Sequence, residues 1–414
     1  MAAMTLHGLR IGVAPGATAL ALAFVAGGIA LGTVSGLVPG IHANNVALLL
    51  AAGAPAVPGP PRLVGAAMLA AGTVHTFLDV VPSLALGVPD PAMAPSALPG
   101  HELVLGGRGR EALRLSALGS GLAVVLAVPL ALPMARVMRA TYPALRAHLP
   151  IVLAAVVVAL VTTEPTYRAS LGAALALGAS GLLGLATLDL HTGGLGAGGT
   201  LAPLFAGLFG APVLLEAMGG GGVPPQDDAT VALSRRGVLA LALAGTLSGA
   251  VVGFVPGVTS AIAATGVLLA VPRSFGSRGF VVATSGVNTA NAIFALVALQ
   301  ALDTTRTGVL VALRDAGVPL ALPLFVASVA IAAAVGFVLV LLVGDRYLAL
   351  VGRLDYRRLS ISVLVVLAVL AVLFAGATGL VVFAVAAAVG LVPQRFGARR
   401  ASLMGVLLVP LLLG

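Results

Sequence analysis

The chain alternates long apolar runs with short turns that carry Arg, Gly or Pro. The windows 17–31, 151–162, 238–252, 318–343 and 361–374 hold no charged residue. A helix needs roughly 20 apolar residues to cross the hydrocarbon core, so these windows span it or nearly so. The whole pattern predicts about ten to twelve hydrophobic segments, several interrupted by Gly or Pro, and hence an all-α polytopic integral membrane protein.

The interruptions have a pattern of their own. Gly32 to Asn45 reads GTVSGLVPGIHANN and puts helix breakers and bare polar side chains inside an apolar run. Gly36-Leu37-Val38-Pro39-Gly40-Ile41 returns as Gly253-Phe254-Val255-Pro256-Gly257-Val258, an offset of 217 residues (257 − 40). A GT[VL]SG sequence lies upstream of each, at 32–36 and 245–249, four residues out of register with the Pro-Gly pairs. Two related halves with discontinuous helices are predicted: residues 1–218, a Gly- and Pro-rich linker at 219–236, and 237–414, the last part of which reads as scaffold helices.

Each Pro-Gly pair removes an amide donor and lets a second half-helix start inside the membrane. Such a start exposes up to four unpaired N–H groups and about half a positive charge, which attract an anion. Paired interruptions in two halves point to the centre of a secondary transporter. The expected substrate-binding set is Gly36, Pro39, Gly40, His42, Asn44 and Asn45 at the first break, and Gly253, Pro256, Gly257, Thr259 and Ser260 at the second. Asn288 and Asn291 join it, since their i, i+3 spacing points them one way. A kinked packing helix whose Asn side chains bond its neighbours is the structural alternative.

Ion coupling has its own candidates. His75 and Asp79, at i, i+4, share a helix face, and an Asp at mid-membrane costs about 2.5–3.5 kcal/mol unless paired or wetted. Thr284 and Ser285 add uncharged oxygens suited to a weakly held sodium ion. A His-Asp clamp is the bland reading of the first pair, and packing hydrogen bonds that of the second.

Elsewhere, 82–109 is too apolar for an exposed loop and too Pro-rich for a spanning helix, which predicts a buried re-entrant hairpin. Residues 201–218 predict another, turning at Gly207 to Gly210. Residues 136–148 read as a basic loop, Glu164 and Arg168 as a local ion pair, and Asp227 and Asp228 as solvated caps in a flexible linker.

Composition then narrows the classes. The chain is 60% hydrophobic and 8% charged, more apolar side chain than a soluble core of 414 residues could hide. Without Cys there is no disulfide or thiolate chemistry. The net charge of +9 comes from Arg alone and sits in short loops, where it reads as a topology signal rather than a nucleic-acid surface. With no Lys, a Walker P-loop is impossible. A channel predicts rings of like residues that single Asn copies do not supply. Gly178-Ala-Ser180-Gly181 spells the GxSG of rhomboid-type intramembrane proteases, but the His after it, His191, lies in a Gly-rich turn eleven residues on, a poor activator for Ser180. A channel, a carrier for another small solute and, remotely, a membrane hydrolase stand as alternatives to the carrier; no cofactor is expected beyond a coupling Na+ or H+.

The motif at 36–41, its echo at 253–258, PSLALGVP at 82–89 and RRASLMG at 399–405 together resemble the large membrane subunit family of the tripartite tricarboxylate transporters, in its shorter archaeal-type branch. The resemblance implies uptake of a citrate-like organic polyanion by an ion gradient, commonly sodium. It also implies a multi-pass protein of the cell membrane that works, in some members, with a small membrane subunit and an extracytoplasmic solute-binding protein; a homodimer is a compatible assembly. By position, Gly36, Pro39, Gly40, Gly253, Pro256 and Gly257 match the family's repeated glycine-rich motif, and Asn44 and Asn288 fall among its polar lining positions. Shorter length and His42 after the motif depart from the bacterial pattern.

Overall fold

The computed structural model describes all residues except 1, 7–8, 40–45, 48–49, 51–52, 88–96, 191, 193–198, 219–222, 229, 256–257, 259, 261–262, 265, 268–272 and 414. It is an all-α membrane protein. Eight described helical stretches are long and apolar enough to cross a membrane, and three shorter apolar helices accompany them. One small exception precedes them: β1 (Ala2–Leu6) and β2 (Leu9–Val13) pair antiparallel ahead of α1 (Pro15–Leu37).

The first part of the chain continues with α2 (Pro61–Leu78), α3 (Val80–Leu86), α4 (Ala97–Leu105) and α5 (Gly109–Ala147). After the linker come α10 (Arg235–Phe254), α11 (Gly276–Leu302), α12 (Gly308–Asp315) and α13 (Leu322–Val351). Glycines set how these helices meet. A methyl group added at Gly28, Gly32 or Gly36 of α1 would collide with Ala67, Ala71 and the His75–Asp79 backbone of α2. One added at Gly245, Gly249 or Gly253 of α10 would collide with Ala283, Val287 to Asn291, and Phe294–Ala295 of α11. Backbones this close gain dispersion contacts that lipid tails do not offer. These two glycine ladders follow the Pro-Gly offset of 217, not the register of GT[VL]SG.

The third long helix on each side crosses over. α5 packs on α11, with Gly119 against the Val282 carbonyl, while α13 packs on α2, with Gly336 against Phe77. All nine of these helices, α1 to α5 and α10 to α13, feed one large apolar cluster.

A second bundle holds α6 (Leu149–Thr162), α7 (Tyr167–Thr187), α8 (Leu201–Phe205), α9 (Ala211–Ala217), α14 (Tyr356–Gly390), α15 (Val392–Phe396) and α16 (Gly405–Leu413); it has a cluster of its own, while α9 and the first part of α14 feed the large one. α14 is not one rod. Ala375 and Gly376 leave helical geometry, Gly376 at φ 62°, and Gly379 presses against the Ala371 carbonyl. Eight residues of continuous helix would separate those two by about 12 Å, so the chain turns back here into two limbs.

Three local expectations are corrected. Gly207 to Gly210 form no hairpin turn: Ala206–Gly210 is a π-helical turn joining α8 to α9. Residues 136–147 are not a loop, because α5 runs helically through Pro129, Pro133 and Pro143 to Ala147. The linker is fastened rather than flexible over its described residues. Gln226 accepts from the Gly109 amide at 2.7 Å, the Asp227 amide donates to the Gly107 carbonyl at 2.8 Å, and Asp228 pairs with Arg114 at 2.8 Å.

Candidate functional site

Both breaks begin with the same backbone gesture. α1 ends in Val38 at φ −86°, ψ 115° and α10 ends in Val255 at φ −86°, ψ 114°. Each valine precedes a proline, which excludes the helical region for it and forces an extended exit. Gly40, His42, Asn44, Asn45, Pro256, Gly257 and Thr259 lie outside the described residues. Gly36, Pro39, Gly253, Ser260, Asn288, Asn291, His75, Asp79, Thr284 and Ser285 are described.

The described polar candidates form a line from one break to the other. Ser35, one turn before Val38, sits with its hydroxyl 3.0 Å from His75 Nδ1 of α2. Asp79 follows one turn later at the α2–α3 junction, where it is 4% exposed. The Asn288 amide of α11 donates to Asp79 Oδ2 at 2.9 Å. One turn further along α11, the Asn291 amide reaches Ser260, just past the second break, in a long contact of 3.5 Å. Asn291 Oδ1 and Thr289 Oγ1 are buried with no partner among the described residues. A carboxylate, an imidazole and amide groups therefore converge where α2 and α11 meet, beside a large apolar cluster.

Local sequence explains the placement. Pro82, third in α3, has no amide to give to Leu78, which loosens the helix just after Asp79. One residue on, the Ser83 hydroxyl donates to the Asp79 carbonyl at 2.8 Å. Gly87, left-handed at φ 66°, ends α3.

Thr284 and Ser285 stand apart from this line. Thr284 Oγ1 bonds back to Phe280 at 2.9 Å, and Ser285 Oγ pairs with Ser116 Oγ of α5 at 2.8 Å. One hydroxyl is spent on its own helix and the other on helix packing in this conformation. Ser180 is likewise spent on the Leu177 carbonyl at 3.2 Å and presses on Gly405; His191 is not described.

A model for the tripartite tricarboxylate transporter TctA family matches residues 22–405. The chain belongs to the TctA family. That is a transporter family and not an enzyme family. The match runs through both breaks and both bundles, so the chain is read as a tricarboxylate-transporter permease, a multi-pass membrane protein whose family works with partner proteins in tripartite systems. An uncharacterized protein of Methanocaldococcus jannaschii is 26% identical over 393 residues, 93% of this chain and 96% of that one. No solved structure matches.

Within this TctA-family chain, the partners of several charged groups escaped the sequence pattern. Glu111, with a fully buried side chain, accepts from Arg108, from Arg278 at 2.8 and 3.1 Å, and from the Ala232 amide at 2.8 Å. It ties α5, α11 and the linker at one point. Glu164 pairs with Arg399 at 3.2 Å, whereas Arg168 bonds the Arg395 carbonyl at 2.9 Å, so the expected Glu164–Arg168 pair does not form. In the linker, the Arg114 guanidinium beside Asp228 holds that carboxyl below the usual carboxylate range. Arg400 is 4% exposed and gives Nη2 to Glu216 at 2.7 Å. Partners so distant in sequence leave no spacing signal; the RRASLMG motif marks only one side.

Proposed function

We propose that this permease is a secondary carrier of the cell membrane that moves an organic polycarboxylate anion, driven by an ion gradient, and binds it between the two helix breaks. The observation that carries the reading is the polar line Ser35–His75–Asp79–Asn288–Asn291–Ser260, which joins the breaks through the heart of an apolar cluster. Ionisable residues inside a membrane protein are expensive and mark substrate or ion pathways.

The two halves are read as products of a duplication. The matched glycine ladders and the equal exits at Val38 and Val255 support this. Backbone amides at the two breaks, with His42, Asn44 and Thr259, serve as anion donors. Asp79 with His75 serves coupling: a cation on the carboxylate, or a proton, offsets part of the substrate charge. Partner subunits deliver the solute, and a homodimer is compatible with the lipid-facing apolar surface of α1.

Uptake into proteoliposomes under imposed sodium or proton gradients tests the reading. Citrate accumulation that follows one of the two gradients is the expected result. Uptake indifferent to both removes the coupling role of Asp79, and no uptake of any di- or tricarboxylate removes the substrate class.

A further inference from the structure

The second bundle carries a charge that the polar line does not use. Arg400 opens the 3-10 turn Arg400–Met404, all of whose residues are buried. Its side chain is 4% exposed, and Glu216, its ion-pair partner through Nη2, is 47% exposed. The other guanidinium nitrogens, Nε and Nη1, are buried with no partner among the described residues. A guanidinium cannot shed its charge as a lysine can. Burying it with two donors unsatisfied is costly, and an oxyanion accepting both removes the cost.

The turn also has a defined neighbour. Ala401, Leu403 and Met404 belong to the apolar cluster of the second bundle, and Val258, directly after the second break, packs against that same cluster. Val258 also packs against the large cluster that includes the neighbours of Asp79, Leu78 and Val80. The Arg400 turn and the second break are thus walls of contiguous packing, and the half-exposed Glu216 marks the side from which an anion reaches the guanidinium.

We propose that Arg400 binds a carboxylate group of the transported anion, with Glu216 as the internal carboxylate that occupies the guanidinium when the substrate is absent. This rests on the carrier reading above and adds the residue that counts the substrate's charge. The same oxyanion chemistry is offered by a lipid phosphate headgroup, and the test separates the two.

Full-length protein is reconstituted in phosphatidylcholine, and citrate KM is measured for the wild type, Arg400→Gln and Glu216→Gln. The expected result is a rise in KM of about tenfold or more in Arg400→Gln, and a fall of a few-fold in Glu216→Gln, where the competing carboxylate is gone. A gain of affinity cannot arise from misfolding, so the Glu216 variant keeps the test decisive if Arg400→Gln does not fold. Wild-type citrate uptake with KM unchanged in every folded variant overturns the role of Arg400 and leaves the carrier reading standing. Absence of citrate uptake by the wild type overturns the carrier reading itself. A thermal stabilisation by added phosphatidylglycerol that Arg400→Gln abolishes, with citrate KM unchanged, assigns the guanidinium to a lipid and also overturns the proposal.

Discussion

At the first break, Gly36 rests on Leu78 and the Asp79 amide; at the second, Gly253 rests on Phe294 and the Ala295 amide. The frames coincide, yet the position that carries a carboxylate on one side carries a methyl on the other. His75, four residues before Asp79, likewise has Asn291 four residues before Ala295 as its counterpart. Among the described residues beside the two breaks, ionisable chemistry is therefore confined to α2, while the facing stretch of α11 offers neutral amides and hydroxyls. In low-dielectric surroundings, one carboxylate is tolerable beside amide donors, whereas two facing each other would repel strongly. The frame is shared; the charge is not.

On the proposed carrier reading, coupling belongs to the α2 side, and replacing its charge is the sharpest way to break the comparison. Asp79→Asn keeps the shape and can still contact Asn288, so folding is retained. Gradient-driven uptake is expected to fall by about 100-fold or more if this intramembrane carboxylate lies on the ion pathway. Uptake at the wild-type rate, measured in proteoliposomes, means that the asymmetry is structural only.

A smaller effect is expected from the neutral side. Asn288→Ala removes the amide that donates to Asp79 and leaves that oxygen to be satisfied otherwise, at a cost of about 1–3 kcal/mol. Uptake is expected to drop roughly tenfold with the gradient dependence intact. If Asn288→Ala lost coupling as completely as Asp79→Asn, the two sides would be acting as one unit.

The shared frame makes a prediction of stability rather than transport. Gly28→Ala and Gly245→Ala each push a methyl into the carbonyl of the facing helix and are expected to cost about 1–3 kcal/mol, read as lower unfolding temperatures in detergent. Gly27 has nothing within 4 Å of an added Cβ, so Gly27→Ala is expected to be neutral or to gain up to about 1 kcal/mol from helix propensity. Unequal losses at Gly28 and Gly245 would argue against equivalent ladders.

What the residue pattern revealed follows from what kind of pattern it is. The breaks were visible because Pro-Gly inside an apolar run has few other uses, and His75 with Asp79, or Asn288 with Asn291, because helical spacing is local. GT[VL]SG suggested a register four residues off; the contacting faces are set by which glycines meet a neighbouring carbonyl, and Gly28 sits outside that string. The return of the chain at Ala375–Gly376 was hidden because AGATG inside an apolar stretch is ordinary for a spanning helix. Glu111 with Arg278, Glu164 with Arg399 and Arg400 with Glu216 pair across 167, 235 and 184 residues, and nothing local encodes them. The linker looked flexible by composition, but Gln226 and the amides of Gly109 and Asp227 fasten it.

That fastening gives the smallest expected effect, and its pH dependence has a definite sign. The Arg114 hydrogen bond, and then its charge, lower the Asp228 pKa from the ordinary carboxylate value. A carboxylate with a depressed folded pKa adds stability above its unfolded pKa and loses it as pH falls through the folded one. Both side chains are well exposed, at 37% and 76%, so screening by water and salt leaves little of this attraction. Asp228→Asn is thus expected to shift the unfolding temperature barely at neutral pH and not at all in acid, where the wild-type carboxyl is protonated too. A large loss at neutral pH would show instead that the strap across α4 and α5 hangs on this pair. The fixed geometry of the linker would then rest on charge, and not on Gln226 and the backbone amides that bind it in either protonation state.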